Sequence, residues 1–137
     1  MDLCIIIPVL NEQQYIENHI ADFQSLSSKG DVIFVDGGST DSTVHLLQTY
    51  RFNLVQTDNH GRGAQLSTGL SHVHAYECIL FLHADTQLPK NYFTLIKDAL
   101  NTHDWGRFNV KIDSSKAVFR LVETFMNMRS CMTGIAT

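Results

Sequence analysis

An alternation repeats four times along this chain: an apolar run of strand length, a polar turn, then a stretch with apolar residues at helical spacing. Leu3-Cys4-Ile5-Ile6-Ile7-Pro8-Val9 is continuous and β-branched, as a strand covered on both faces must be, and Pro8, which lacks an N–H, is expected to end its ladder. Residues 12–26 then put Tyr15, Ile16, Ile20, Phe23 and Leu26 at the spacing of one helix. The second unit runs from Val32-Ile33-Phe34-Val35-Asp36 through the turn Gly37-Gly38-Ser39-Thr40 into a helix carrying Val44, Leu46, Leu47 and Tyr50. A third pairs Leu54-Val55-Gln56 with a helix opening after Gly61-Arg62-Gly63, and a fourth pairs Cys78-Ile79-Leu80-Phe81-Leu82 with a helix over 90–100. Strands alternating with helices of this length predict an α/β fold: a mostly parallel, doubly wound sheet with helices on both faces.

The end of the chain reads differently. Phe108-Asn109-Val110-Lys111-Ile112-Asp113 alternates apolar and polar residues, which predicts a half-exposed strand. From Ser115 a helix follows whose apolar face of Val118, Phe119, Leu121, Val122, Phe125 and Met126 is expected to cover core, with a membrane-surface or dimer face as the alternative.

With 137 residues, 44% hydrophobic and 18% charged, the chain can close one core but not two. Its net charge of -4, with no basic cluster, excludes a sequence-independent nucleic-acid binder, which needs a Lys/Arg stripe to displace counterions from phosphates. Cys4, Cys78 and Cys131 are odd in number and set in apolar runs, so buried free thiols of a reducing compartment are expected. No basic segment precedes the first apolar run and no apolar run is long enough to span a bilayer, so a cytoplasmic location is expected, with peripheral contact to the inner membrane face as its extension.

In a doubly wound sheet ligands bind beyond the carboxyl ends of the strands, and there the sequence gathers polar residues. Asn11 and Glu12 follow the first strand; Asp36, Gly37, Gly38 and Ser39 the second; Thr57, Asp58 and Arg62 the third; His83 and Asp85 the fourth. Taken singly, each also suits a helix cap or a tight turn. His83 and Asp85, two residues apart at the end of a buried strand, are expected to point to one side and to hold one divalent cation, for which imidazole with carboxylate suits Mn²⁺ better than Ca²⁺. No Walker loop, dinucleotide fingerprint or Gly-x-Ser-x-Gly motif is present.

Taken in order, Ile-Ile-Ile-Pro-Val-Leu-Asn-Glu, Val-Asp-Gly-Gly-Ser-Thr-Asp, Gly-Arg-Gly-Ala-Gln and Leu-His-Ala-Asp resemble the family 2 glycosyltransferases of the GT-A fold. The likeness covers nearly the whole chain, and Trp105-Gly106-Arg107-Phe108, Met128-Arg129-Ser130 and Thr133-Gly134-Ile135-Ala136-Thr137 look like one bacterial branch of that family. The resemblance implies a single GT-A-like domain in which residues 1–103 bind a nucleotide-diphosphate sugar and residues 104–137 begin an acceptor-side part. It implies that Pro8, Leu10, Asn11, Glu12 and Asp36 line the base and ribose pocket, that Gly38 also binds the nucleotide sugar, that Arg62 approaches base or phosphates, and that His83-Ala84-Asp85 replaces the family's Asp-x-Asp. Asp85, with His83, would then hold Mn²⁺ or Mg²⁺. The implied reaction is inverting transfer of the sugar to an acceptor hydroxyl on a lipid carrier, a glycan or a small molecule.

Three departures accompany the likeness. Gly37 stands where the family usually has an Asp that often contacts the base, and His83 replaces the first Asp of Asp-x-Asp. Similar proteins also run on by roughly another hundred residues, a domain-scale length, which carry the carboxylate general base. The chain is therefore expected to be a C-terminally truncated donor half, open to self-association through uncovered apolar surface. The alternative is a catalytically inactive nucleotide-binding or interaction module of the same fold. A nucleotidyltransferase is disfavoured, because the first loop lacks the Gly-rich, Arg- and Lys-bearing phosphate segment.

Overall fold

The computed structural model describes residues 1–133. They fall into two compact units, the first 1–88 and the second opening at Pro89. The first unit holds β1 (Leu3–Val9), α1 (Gln13–Asn18), α2 (Ile20–Ser27), β2 (Asp31–Asp36), α3 (Thr43–Thr49), β3 (Asn53–Gln56), α4 (Arg62–Ser71) and β4 (Cys78–Phe81). The four strands form one wholly parallel sheet in the order β3-β2-β1-β4. Because the chain steps outward from β1 to β2 and β3 and then returns to the other side of β1, the topological switch point lies between β1 and β4.

All seven residues of β1 are buried, as its unbroken apolar run requires. One face of the sheet presents Cys4, Ile6, Ile33 and Val35, against which Val55, Leu66, Val73 and Tyr76 pack. Here α4 comes so close that a Cβ on Gly69 would lie 2.5 Å from Ile6 Cγ2. On the opposite face Phe34 meets Phe23 of α2 edge-on at 5.2 Å and Phe52 at 5.2 Å, a three-ring cluster beneath the helices. The sheet is therefore wound on both sides.

Several local expectations are corrected. Pro8 does not end the ladder with β2, which continues through Pro8↔Val35 and Val9↔Asp36. The Val9 carbonyl faces β2, accepting from Gly37, so the missing N–H of its neighbour Pro8 falls on the β4 side, where pairing has already stopped at Phe81. The helix expected over 12–26 breaks into α1 and α2 at His19, whose ring Nδ1 bonds the Tyr15 carbonyl at 2.8 Å while the ring stacks on Tyr15. Cys4 is buried and its thiol is pushed up to about 11, chiefly by burial and then by Asp31, but Cys78 is only half-buried; the Cys131 side chain lies outside the described residues.

The second unit contains α5 (Tyr92–Leu100) and α6 (Ala117–Thr133). No strand forms over 108–113. Side chains of α6 take the place of a ladder: Asn127 accepts from Val110 N–H at 2.9 Å and donates to the Val110 carbonyl at 3.0 Å, and Glu123 accepts from Ile112 N–H. The expected core face of α6 is not covered, since Val118, Leu121, Val122 and Phe125 stay exposed. The segment 134–137, part of the family-like terminal motif, lies outside the described residues.

Candidate functional site

The carboxyl edge of the sheet is built from loops that cap one another. Asp36, the last residue of β2, is 1% exposed, and its carboxylate accepts from Gly38 N–H at 3.1 Å and Ser39 N–H at 3.2 Å. This turn is possible because Gly38 adopts φ +97°, a region that side chains disfavour. Asn11 follows β1 at φ +56°, a conformation Asn tolerates better than most residues. Its N–H donates to Ser39 Oγ at 2.9 Å, and its Oδ1 accepts from Thr40 N–H at 2.8 Å.

The first turns of α1 and α3 are joined in the same way. Glu12 N–H donates to Thr43 Oγ1 at 2.9 Å and Gln13 N–H to Asp41 Oδ2 at 3.1 Å, while Gln13 Oε1 accepts from Ser42 N–H and Asp41 Oδ1 from Thr43 N–H. Each helix start would otherwise leave unpaired N–H groups; those of α1 are met by side chains of the other loop, and those of α3 by Gln13 from the other loop and Asp41 from its own. Behind them Gln65, on the first turns of α4 and 5% exposed, donates to the carbonyls of Val9 and Val35, both at 2.8 Å.

Across the switch point stand the charged groups. Burial is the chief cause that raises the Glu12 carboxyl above its usual range; Asp85 and Asp41 add to the rise and Arg62 opposes it. Tyr15 is likewise raised, first by burial and then by Asp85. The His83 imidazolium is disfavoured by burial and then by Arg62, against the pull of Asp85, so His83 is neutral near pH 7 and keeps a nitrogen lone pair. Glu12, Arg62, His83 and Asp85 thus share one electrostatic neighbourhood although they come from three separate loops.

The expected alignment of His83 and Asp85 is corrected in its basis. β4 ends at Phe81, and Thr86 N–H closes a turn onto the His83 carbonyl at 3.1 Å, so strand alternation no longer governs where the two side chains point. Ala84 between them is buried, His83 is half-buried and Asp85 is exposed. Among the described residues no three His, Cys, Asp or Glu side chains come together as a metal site. By donor chemistry a neutral imidazole and a carboxylate would suit Mn²⁺, with phosphate oxygens and water in the other positions, and the carboxylate alone would suit Mg²⁺.

Of the sequence-predicted residues, Leu10 is half-exposed beyond β1, Arg62 opens α4 in the open, and Pro8 is buried within β1. Asp36 and Asn11 are engaged mainly in holding the loops. Gln13, Tyr15, Asp41, Thr43 and Gln65 were not singled out from sequence. Gln65 was within reach of it, since it lies four residues before Gly69 and so shares the helix face that meets the sheet.

A parallel α/β sheet wound on both faces, with its polar residues gathered across the carboxyl ends of β2, β1 and β4, places the protein in the doubly wound class, whose ligands bind at that edge. The profile of Glycosyl transferase family 2 matches residues 4–123, and the chain belongs to that family. Among curated proteins, undecaprenyl-phosphate 4-deoxy-4-formamido-L-arabinose transferase of Salmonella paratyphi A is 30% identical over 96 residues, which cover 62% of this chain and 29% of that transferase. The chain thus matches under a third of the length of such relatives. Among solved structures, S. aureus TarS 1-349 superposes with a TM-score of 0.62 at 22% identity, covering 75% of this chain and 33% of that one. Glucosyl-3-phosphoglycerate synthase from Mycobacterium tuberculosis, solved with Mn²⁺, UDP and glucosyl-3-phosphoglycerate, gives 0.61 at 22% identity, covering 74% and 40%. These likenesses establish the fold.

Proposed function

We propose that this chain is the donor-binding part of an inverting glycosyltransferase that takes a sugar from a nucleotide-diphosphate sugar to an acceptor hydroxyl. The observation that carries the reading is the convergence of Glu12, Arg62, His83 and Asp85 at the switch point of the sheet. Leu10, Asn11, Glu12, Asp36 and Gly38 frame the nucleoside end, and Arg62 faces the diphosphate. His83 and Asp85 would hold Mn²⁺ or Mg²⁺, which when bound supplies Lewis-acid stabilisation of the departing diphosphate. Attack by the acceptor oxygen on the anomeric carbon forms one bond as the bond to the diphosphate oxygen breaks on the opposite face. The proton of the acceptor hydroxyl passes to a general base that is assigned to none of these residues.

Several features of the family's proteins support this direction. Mn²⁺ and UDP accompany one structural neighbour, and the names of the relatives specify an undecaprenyl phosphate and a phosphoglycerate as molecules acted upon or formed. No helix among the described residues is long and apolar enough to cross a membrane. We propose a cytoplasmic location, with the inner membrane face as the site of any lipid-carried acceptor like that named for the curated relative.

The test is a thermal-shift panel of UDP, GDP, CDP and dTDP, each with and without Mn²⁺, on the chain and on Asp85→Ala. One nucleotide is expected to stabilise only with metal, by about 2.7 kcal/mol at a hundred times its dissociation constant, and Asp85→Ala is expected to lose that shift. A folded chain that responds to none of the four would instead favour the inactive interaction module.

A further inference from the structure

The two N–H groups of the Gln65 amide are both spent, on the Val9 and Val35 carbonyls at 2.8 Å. Carbonyl oxygens only accept, so the amide can point in one sense alone, with its nitrogen between the ends of β1 and β2. Its Oε1 is left over, and no donor reaches it among the described residues. The side chain is 5% exposed. Among the described residues Gln65 Oε1 is not sealed off from solvent, so it can be reached from outside. A nearly buried acceptor of this kind is costly to leave unmet, and its accessible sliver marks where a donor can arrive.

Position 37 makes room for the amide. A Cβ on Gly37 would lie 2.8 Å from Gln65 Cδ and 2.9 Å from Nε2, closer than side-chain atoms pack. A carboxylate-bearing residue at 37 and the Gln65 amide therefore cannot share this corner without one shifting, and the chain has taken the amide. Of the neighbouring acceptors, Asp36 takes bonds from Gly38 and Ser39, and Asn11 Oδ1 takes one from Thr40.

We infer that Gln65 Oε1 is a specificity-determining acceptor of the donor site, taking a hydrogen bond from an N–H or O–H of the bound nucleoside, with Gly37 as the residue that makes room for it. The inference rests on the donor-site reading above. Base and ribose both carry such donors, and the experiment separates them.

Calorimetric titrations of the full chain and of Gln65→Met, both with Mn²⁺, would use UDP and GDP, their ring-nitrogen methylated forms 3-methyl-UDP and 1-methyl-GDP, and their 2′-deoxy forms. For the nucleotide the chain prefers, one modification is expected to weaken binding to the native chain by about tenfold and to Gln65→Met by less than about twofold, since the missing bond can be lost only once. Sensitivity to ring methylation assigns the bond to the base, and sensitivity to the 2′-deoxy form assigns it to the ribose. If Gln65→Met does not fold by circular dichroism, Gly37→Ala, whose Cβ would push the amide out of its place, is expected to shrink the same ratio. Equal ratios in native and variant chains, or a native chain indifferent to both modifications, would overturn the inference while the donor site stands. Failure of every nucleotide to bind the folded native chain would remove the donor site itself, and this contact with it.

Discussion

The carboxylates at the loop ends serve two purposes that burial and partners distinguish. Asp36 is enclosed and bonded to two backbone N–H groups of its own turn, so Asp36→Ala is expected to lower stability by about 2–3 kcal/mol, the range for hydrogen bonds to a buried charge. A urea titration measures that loss, and an unchanged midpoint would mean that the turn holds without it. Asp41 is a different case. Burial opposes its charge, but hydrogen bonds from the Thr43 hydroxyl, Thr43 N–H and Gln13 N–H outweigh that and keep its carboxyl below the ordinary value of 3.8. A depressed folded pKa means the ionised form is preferred on folding, so its contribution is in place above about pH 4 and fades as the pH drops through the folded value. The native chain should therefore lose stability between about pH 4 and pH 2 more steeply than Asp41→Asn, as read from urea midpoints across that window. Parallel acid limbs in the two proteins would assign the loss to other carboxylates.

At the scale of elements, α4 sets the spacing of the site. Its first turn presents Arg62, its next places Gln65 across the ends of β1 and β2, and Gly69 lets the helix lie directly on the sheet. In isolation Gly69→Ala would favour the helix by about 1 kcal/mol. In place, the new methyl would sit 2.5 Å from Ile6 Cγ2 and 2.9 Å from Val35 Cγ2, contacts that force the helix outward. Overpacking of that kind costs about 1–3 kcal/mol, so packing is expected to win and the melting temperature to fall. A rise in melting temperature would show that α4 can shift without penalty. The capping of α1 and α3 makes those two short helices interdependent: α1 takes its caps from Thr43 Oγ1 and Asp41 Oδ2 of the other loop, and α3 adds Gln13 Oε1 from across the loop to its own Asp41 Oδ1.

Across the whole molecule the apolar surface is unevenly covered. Phe81 on β4 is 50% exposed and Ile79 37%, and α6 leaves Val118, Leu121, Val122, Phe125 and Met128 uncovered. Patches of this size on a monomer invite association, so light scattering is expected to show oligomers growing with concentration, and Phe81→Lys to reduce them. A strict monomer at the highest attainable concentration would count against it. Much of the architecture was nonetheless written locally: the buried runs 3–9 and 32–36, the Gly-rich turns and the helical spacings gave the parallel order, because strand burial and helix periodicity are properties of neighbours in the chain. The motifs at the strand ends also pointed to the family that the profile match shows. What sequence could not supply was contact between distant segments. The strand anticipated at 108–113 is absent because Asn127 and Glu123 took up its backbone groups, and the break at His19 arose from a ring stacking on Tyr15. The engagement of Asp36 with its own turn, the exchange of caps between α1 and α3, and the fit of Gln65 against Gly37 were likewise decided in three dimensions, since each depends on which atoms the sheet brings within a bond length of one another.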